Sequence, residues 1–445
     1  MKKLEGRAFL CLTLAMMLVI GLGVFIYKLA TDGGDWASFY ANQHIYENGK
    51  LTVGAIYDRT GLRLMNNDED GSHYVDDTEL RKANFHVLGD KGNNVPTAAN
   101  NAFRKDMIGY NIVSGTNDTL WKRNRRVTLT IDAELNRTAY KALSGQDGFI
   151  SVYNWKTGDI VCMVSAPTAD PAADLDGSKL KTGTFMNKVI SATYAPGSTF
   201  KLVTTAAAIE EMEGMDQWSF RCTGEHEIDG EKIICPYVHG ELDFYDALAK
   251  SCNCAYASLT VELGSDVMKE YVKKLGLTSQ YNVDGITTAA GKFNFDTYDI
   301  NLGWAGIGQF EDQVNPLAMM VYMGAIAGDG SAAQPRLIYD EKISESSAEK
   351  VDLLSGGTAR QIKDMMRNNV IETYGEENYK GLELHAKSGT AETALGRKPN
   401  SWFCGFSGDY AFVVCIEEGG YGSQAAGPAA GKVLEKINET IEQIQ

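Results

Sequence analysis

Pro196-Gly197-Ser198-Thr199-Phe200-Lys201-Leu202-Val203 joins a turn signal to the start of a helix. Ala206, Ala207, Ala208 and Ile209 continue that helix with small apolar side chains suited to burial on several sides. A serine three residues before a lysine shares a helix face with it, so the amine can take the hydroxyl proton. A nucleophile at a helix start also feels the positive end of the dipole and its free amides. Two further motifs follow in chain order, Ser251-Cys252-Asn253 and Lys387-Ser388-Gly389-Thr390. Together the three describe a serine acyl-transfer site that uses lysine where other hydrolases use histidine. Ser-x-x-Lys recurs at Ser178 and Ser347 and Lys-Thr-Gly at Lys156 and Lys181, whereas Ser-x-Asn occurs once. Ser178 sits among Asp174, Asp176 and Gly177, Ser347 lies in a polar run, and Lys156 falls in a turn between two strand signals.

The chemistry accounts for the residue types. A lysine of ordinary pKa, about 10.4, is a poor base at neutral pH unless burial or a second ammonium destabilises its charged form. Lys201 is the expected neutral base and Lys387 the second cation. The attacked carbonyl needs two aimed donors, expected to be the backbone amides of Ser198 and Thr390, each contributing on the order of 3 kcal/mol. Ser251 can relay a proton between Lys201 and the departing nitrogen. Asn253 offers a donor and an acceptor to a substrate amide. Strand alternation is expected to place Lys387, Ser388 and Thr390 nearly on one side, with Gly389 admitting close backbone approach, to receive an anionic end group.

On these motifs the chain resembles the penicillin-binding proteins, specifically the monofunctional class B D,D-transpeptidases of peptidoglycan synthesis. The likeness extends to Gly54-Ala55-Ile56-Tyr57-Asp58-Arg59-Thr60-Gly61, Leu129-Thr130-Ile131-Asp132, Gly306-Ile307-Gly308-Gln309 and Trp402-Phe403-Cys404-Gly405-Phe406. It implies Ser198 as acylated nucleophile, Lys201 as base, Ser251 and Asn253 as second motif, and Lys387 to Thr390 as third. The implied reaction cleaves a D-Ala-D-Ala stem peptide and transfers the acyl group to a neighbouring peptide amine, with beta-lactams trapping Ser198. A D,D-carboxypeptidase, a beta-lactamase and a scaffold for a membrane glycan polymerase are the alternatives. Ser388 replaces a frequent threonine, Asn315-Pro316 replaces threonine-proline, and Cys252 is unusual between Ser251 and Asn253.

Ala8 to Tyr27 holds no charged residue and is long enough to cross a bilayer, with Lys2, Lys3 and Arg7 before it. A retained anchor with a cytoplasmic N-terminus and an external bulk is expected, in preference to a cleaved signal peptide. Met319 to Ala327 is too short to span and reads as a core helix. The net charge of −16 argues against nucleic-acid binding as the main task. The basic cluster Lys122, Arg123, Arg125 and Arg126 reads as a solvated hinge.

Eight cysteines include Cys11 in the anchor, leaving seven. Cys222 and Cys235 flank a hairpin signal with Asp229-Gly230 as its turn and are a candidate disulfide. Cys252 and Cys254 lie in a helical stretch, and Cys162, Cys404 and Cys415 in strand patterns, as buried thiols. No cysteine pair at close ligand spacing is followed by a histidine, so no metal is expected. Asn66, Asp68, Asp70 and Asp77 around Gly71 read as an acidic turn and not a calcium loop. The proposed chemistry needs no cofactor.

The expected organisation is a cytoplasmic tail (1–7), an anchor (8–30), a small pedestal domain (31–125) and a transpeptidase domain (126–445). Strands at Gly148 to Tyr153 and Asp159 to Ser165, and again at Glu383 to Thr390, Trp402 to Phe406 and Tyr410 to Glu417, bracket a helical middle. This predicts an α+β fold with one antiparallel sheet and helices packed on it, the architecture of the beta-lactamase and transpeptidase family.

Overall fold

The computed structural model describes residues 2–39, 42, 45–47, 50–110, 112–113, 115–116, 125–393 and 396–442. Helix α1 (Lys2–Ala37) is apolar through its middle, and its hydrophobic side chains from Leu4 to Tyr27 are exposed. It is long and apolar enough to cross a membrane.

Strands β1 (Ala55–Tyr57), β2 (Arg63–Asp68) and β3 (Gly71–Tyr74) form an antiparallel meander, followed by helix α2 (Thr78–Ala83), which Asp77 caps. The residues suspected of imitating a calcium loop thus belong to the β2–β3 hairpin and the α2 cap. Strand β4 (Arg126–Thr128) pairs in parallel with β1, giving the order β3-β2-β1-β4. The strand at the expected domain boundary therefore completes the N-terminal sheet. This also corrects the hinge reading: Arg126 is in a strand, with its guanidinium over the Tyr57 ring at 5.8 Å. Lys122 and Arg123 lie outside the described residues.

Helix α3 (Ala133–Ala142), capped by Asp132, precedes strands β5 (Gly148–Asn154) and β6 (Ile160–Ala166). Helix α4 (Lys201–Glu211) follows a 3-10 turn over Gly197–Phe200, so the first turn expected to be α-helical is wound tighter. The middle of the chain is less purely helical than its composition suggests. Strand β7 (Ser219–Cys222) pairs with β10 (Gly240–Asp243), and these enclose a second hairpin, β8 (Glu225–Ile228) with β9 (Glu231–Ile234). Its turn is Asp229-Gly230, both at positive φ, as the sequence pattern requires.

Helix α5 (Asn253–Lys274), interrupted at Gly264, is followed by α6 (Pro316–Ala327), whose every residue is buried, and by α7 (Gly356–Asn369). Strands β11 (Leu384–Ala391), β12 (Asn400–Ser407) and β13 (Tyr410–Ile416) lead to the closing helix α8 (Gly422–Glu442). The five long strands make one fully antiparallel sheet in the order β11-β12-β13-β5-β6. One face packs on α6, backed by α4 and α5; the other packs on α3 and α8. The alternation of buried side chains on both faces explains why these strands read as near-continuous apolar runs. Strand β11 is one edge of the sheet, and the 3-10 turn lies against it.

Candidate active site

Gly197 opens the serine turn at φ +54, a left-handed conformation that disfavours side chains. A Cβ there would sit 2.6 Å from Thr390 O, and one on Gly389 would sit 2.9 Å from Pro196 O. The two glycines thus let the turn and β11 touch backbone to backbone. Ser198 and Thr390 are neighbours of this contact, so the two amides expected to hold an oxyanion come from segments the fold brings together. Gly197 N donates to Gly308 O at 2.9 Å, and Gln309 Nε2 donates to Thr390 O at 3.3 Å.

Lys201, one turn after Ser198, is fully buried, and its Nζ lies 3.1 Å from Ser198 Oγ. It also donates to Ser251 O (2.6 Å) and Asn253 Oδ1 (2.8 Å) and lies 3.2 Å from Ser251 Oγ. Burial lowers its pKa to about 8. Tyr256, which no motif flagged, stands with its ring 5.7 Å from that amine and shares a 2.8 Å hydroxyl contact with Thr205.

Lys387 is equally buried; its Nζ donates to Ser388 O and lies 2.9 Å from Ser251 Oγ. Burial first, then the Lys201 charge, push its pKa well below the ordinary lysine value. Ser251 holds its place at φ +51, a conformation uncommon and strained for serine. Ser198, Lys201, Ser251, Asn253 and Lys387 therefore share one cleft.

Two expectations need correction. Lys387 and Ser388 are adjacent in β11 and project to opposite faces, since a strand's side-chain period is two. Lys387 runs to Ser251, while Ser388 Oγ accepts from the Tyr374 hydroxyl at 3.1 Å, and that same hydroxyl accepts from Ser388 N at 2.8 Å. Ser388 shares its side with Thr390, whose Oγ1 accepts from Gly422 N. Asn253 is also less free than expected for substrate: its Oδ1 accepts from Lys201, and its Nδ2 donates to Ile234 O at 3.1 Å.

The cysteines also differ from expectation. Cys222 and Cys235 are both free, as are the other cysteines. Cys235 Sγ lies 3.6 Å from Cys252 Sγ, and Cys222, Cys235, His239 and Cys252 bring their ligand atoms within 4.8 Å of one another. Cys235 and His239 are four residues apart in sequence, and the fold brings Cys222 and Cys252 to them from distant segments.

The family model described as "Penicillin binding protein transpeptidase domain" matches residues 148–439. The chain is 28% identical over 345 residues to the peptidoglycan D,D-transpeptidase PbpA of Mycolicibacterium smegmatis, covering 69% of this chain and 70% of that protein. It is 25% identical to the stage V sporulation protein D of Bacillus subtilis, covering 69% of this chain and 52% of that protein. The fold is similar to the D,D-transpeptidase domain of a peptidoglycan glycosyltransferase from Eggerthella lenta (TM-score 0.74, 24% identity, 87% of this chain and 99% of that one). It is similar also to penicillin-binding protein A of M. tuberculosis in its penicillin G acyl-enzyme complex (TM-score 0.73, 20% identity, 87% and 99%).

Proposed function

Because the chain belongs to the penicillin-binding protein transpeptidase family, we propose that it is a monofunctional class B peptidoglycan D,D-transpeptidase. It cleaves the terminal D-alanine of a D-Ala-D-Ala stem peptide through an acyl-enzyme on Ser198 and passes the acyl group to the amine of a neighbouring peptide. Beta-lactams acylate the same hydroxyl. The carrying observation is the 3.1 Å approach of the buried Lys201 amine to Ser198 Oγ.

The contacts of Lys201 accommodate either an ammonium, with a third hydrogen on Ser198 Oγ, or the neutral base. Ser251 O and Asn253 Oδ1 can only accept, so a neutral amine places its two hydrogens there and leaves its lone pair for the Ser198 hydroxyl. Two buried ammoniums this close to one hydroxyl repel, so the pair favours a single proton. A substrate carboxylate arriving at the third motif draws that proton to Lys387, and the resulting cation keeps Lys201 neutral. Ser198 attacks the penultimate carbonyl as its proton passes to Lys201. The proton then travels through Ser251 Oγ to the departing D-alanine nitrogen, and the acceptor amine reverses the path. Strand β11 ends the sheet, so an extended peptide can lie along it once it displaces side-chain bonds such as Gln309 Nε2 to Thr390 O.

Helix α1 serves as a single-pass anchor, with Lys2, Lys3 and Arg7 favouring a cytoplasmic N-terminus and an external bulk. Residues 31–125, whose sheet β4 completes, act as a pedestal and 126–445 as the transpeptidase domain. A membrane glycan polymerase is the partner that supplies strands to a chain whose proposed site only joins peptides.

Intact-mass measurement after incubation with labelled penicillin, followed by peptide mapping, tests the reading. One adduct on Ser198, absent in Ser198→Ala, is expected. Rapid turnover of the penicillin would make the protein a beta-lactamase, and release of D-alanine without amine transfer a carboxypeptidase.

A further inference from the structure

The Ser251-Cys252-Asn253 motif meets the β7–β10 and β8–β9 hairpins through sulfur. Cys222 ends β7, Cys235 follows β9, His239 precedes β10, and Cys252 is the N-cap of α5. All three thiols are buried. His239 Nδ1 is buried with no hydrogen-bond partner, an atom that ordinarily demands one. The four donors form the one group of His, Cys, Asp and Glu with metal-holding geometry among the described residues.

From this arrangement we infer that Cys222, Cys235, His239 and Cys252 hold a zinc ion that fixes the Ser251 turn of the active site. The distances fit the ion: zinc–sulfur bonds of about 2.3 Å in a tetrahedron set sulfur–sulfur edges near 3.8 Å, and the Cys235–Cys252 separation is 3.6 Å. Three thiolates and one imidazole fill a tetrahedron, leaving no open position, so the site is structural and not hydrolytic. Binding releases the thiol protons to solvent while His239 stays neutral. Outer contacts suit a thiolate as well. Cys235 Sγ accepts from Asn253 N at 3.1 Å and Cys254 N at 3.4 Å, and Cys252 Sγ accepts from Ala255 N at 3.4 Å.

A Cys235–Cys252 disulfide is the competing arrangement. It would engage two of the four groups and leave the Cys222 thiol and the orphaned His239 Nδ1 unexplained. The ion uses all four.

The consequence falls on Ser251, one residue before a ligand. Its strained φ of +51 and its position between the two lysine amines are held by what fixes Cys252. Cys252 and its fellow ligands are positioning residues, acting through Ser251 and Asn253.

The full chain, purified in detergent without chelator, is assayed for metal by mass spectrometry. About one zinc per chain is expected, reduced to under one tenth in Cys222→Ser and His239→Ala and unchanged in the control Cys404→Ser. Should the variants misfold, cobalt added to the chelator-stripped natural chain gives the absorption of tetrahedral thiolate-bound cobalt. Stripping zinc should slow acylation by labelled penicillin at least tenfold, with recovery on zinc addition. A folded natural chain that holds under one tenth of a zinc and develops no cobalt spectrum overturns the site. So does a Cys235–Cys252 disulfide found in most molecules by non-reducing peptide mapping. Unchanged acylation after zinc removal overturns the positioning role. Metal content is read independently of the Ser198 adduct, so failure here is distinct from failure of the transpeptidase reading.

Discussion

Lys201 and Lys387, 186 residues apart in sequence, bring their amines to one hydroxyl, at 3.2 and 2.9 Å from Ser251 Oγ. Because both amines are buried, neither can carry its charge as cheaply as in water, and the Lys201 charge further disfavours that of Lys387. The site is organised around where one proton resides.

Lys201→Arg preserves the charge and removes the base, since a guanidinium stays protonated. Acylation by labelled penicillin should fall by about 10²–10⁴-fold. In the natural protein the acylation rate should rise with pH through about 8 and then level off. Stability follows the same proton. Because the folded pKa lies below the ordinary 10.5, the unfolded chain binds more protons between these values, and stability rises with pH there. The cost is fully present below about 8, so denaturation should show Lys201→Met gaining most on the natural chain at pH 7 and less at pH 9.5.

Ser251→Ala and Ser251→Gly both delete the relay hydroxyl, and both should lose turnover by about two orders of magnitude or more. Only glycine relaxes the left-handed backbone at this position. Thermal unfolding should therefore rank the glycine variant about 1 kcal/mol above the alanine variant.

Gly389→Ala places a methyl 2.9 Å from both Pro196 O and Thr199 Cγ2 and 3.1 Å from Trp402 Cβ. Backbone and buried atoms on three sides leave no flexible end to yield. The substitution should cost about 1–3 kcal/mol and slow acylation at least tenfold by moving β11 away from the serine turn. Stopped-flow acylation and melting temperature together check this.

Asn315 caps α6 through Oδ1, which accepts from Leu317 N and Ala318 N, while its Nδ2 donates toward Val189 O, Ile190 O and Ala192 O. Threonine can replace the cap but not the amide donors. Asn315→Thr should destabilise by about 1–2 kcal/mol and Asn315→Ala by more, measured by urea unfolding.

The motifs were legible because each encodes its own local geometry. Ser198 and Lys201 share a helix face by spacing alone, and Asp229-Gly230 specifies its hairpin by backbone preference. The five-stranded sheet was legible from its apolar runs, whose edges fall within a few residues of the strands found. Contacts made between segments were not. Tyr374 meets Ser388 only because the π turn Val370–Tyr374 packs its ring against Phe403, 5.4 Å between centroids. The sulfur cluster draws donors from three segments, and the one local spacing, Cys235 to His239, supplies only two of the four. The opposite faces of Lys387 and Ser388, by contrast, follow from a strand's period of two and are implied by the sequence alone.

The parallel seam between β1 and β4 continues past the strands, with Leu129 N donating to Tyr57 O and Arg59 N to Ile131 O. The buried amides of Asn84 and Asn136 bond across the same junction at 2.8 Å. Sliding β1 along β4 would therefore load these ladder bonds together in shear, so that they resist jointly and do not peel one by one. Displacing the N-terminal sheet from the residues that lead into α3 would have to break all of these bonds at once.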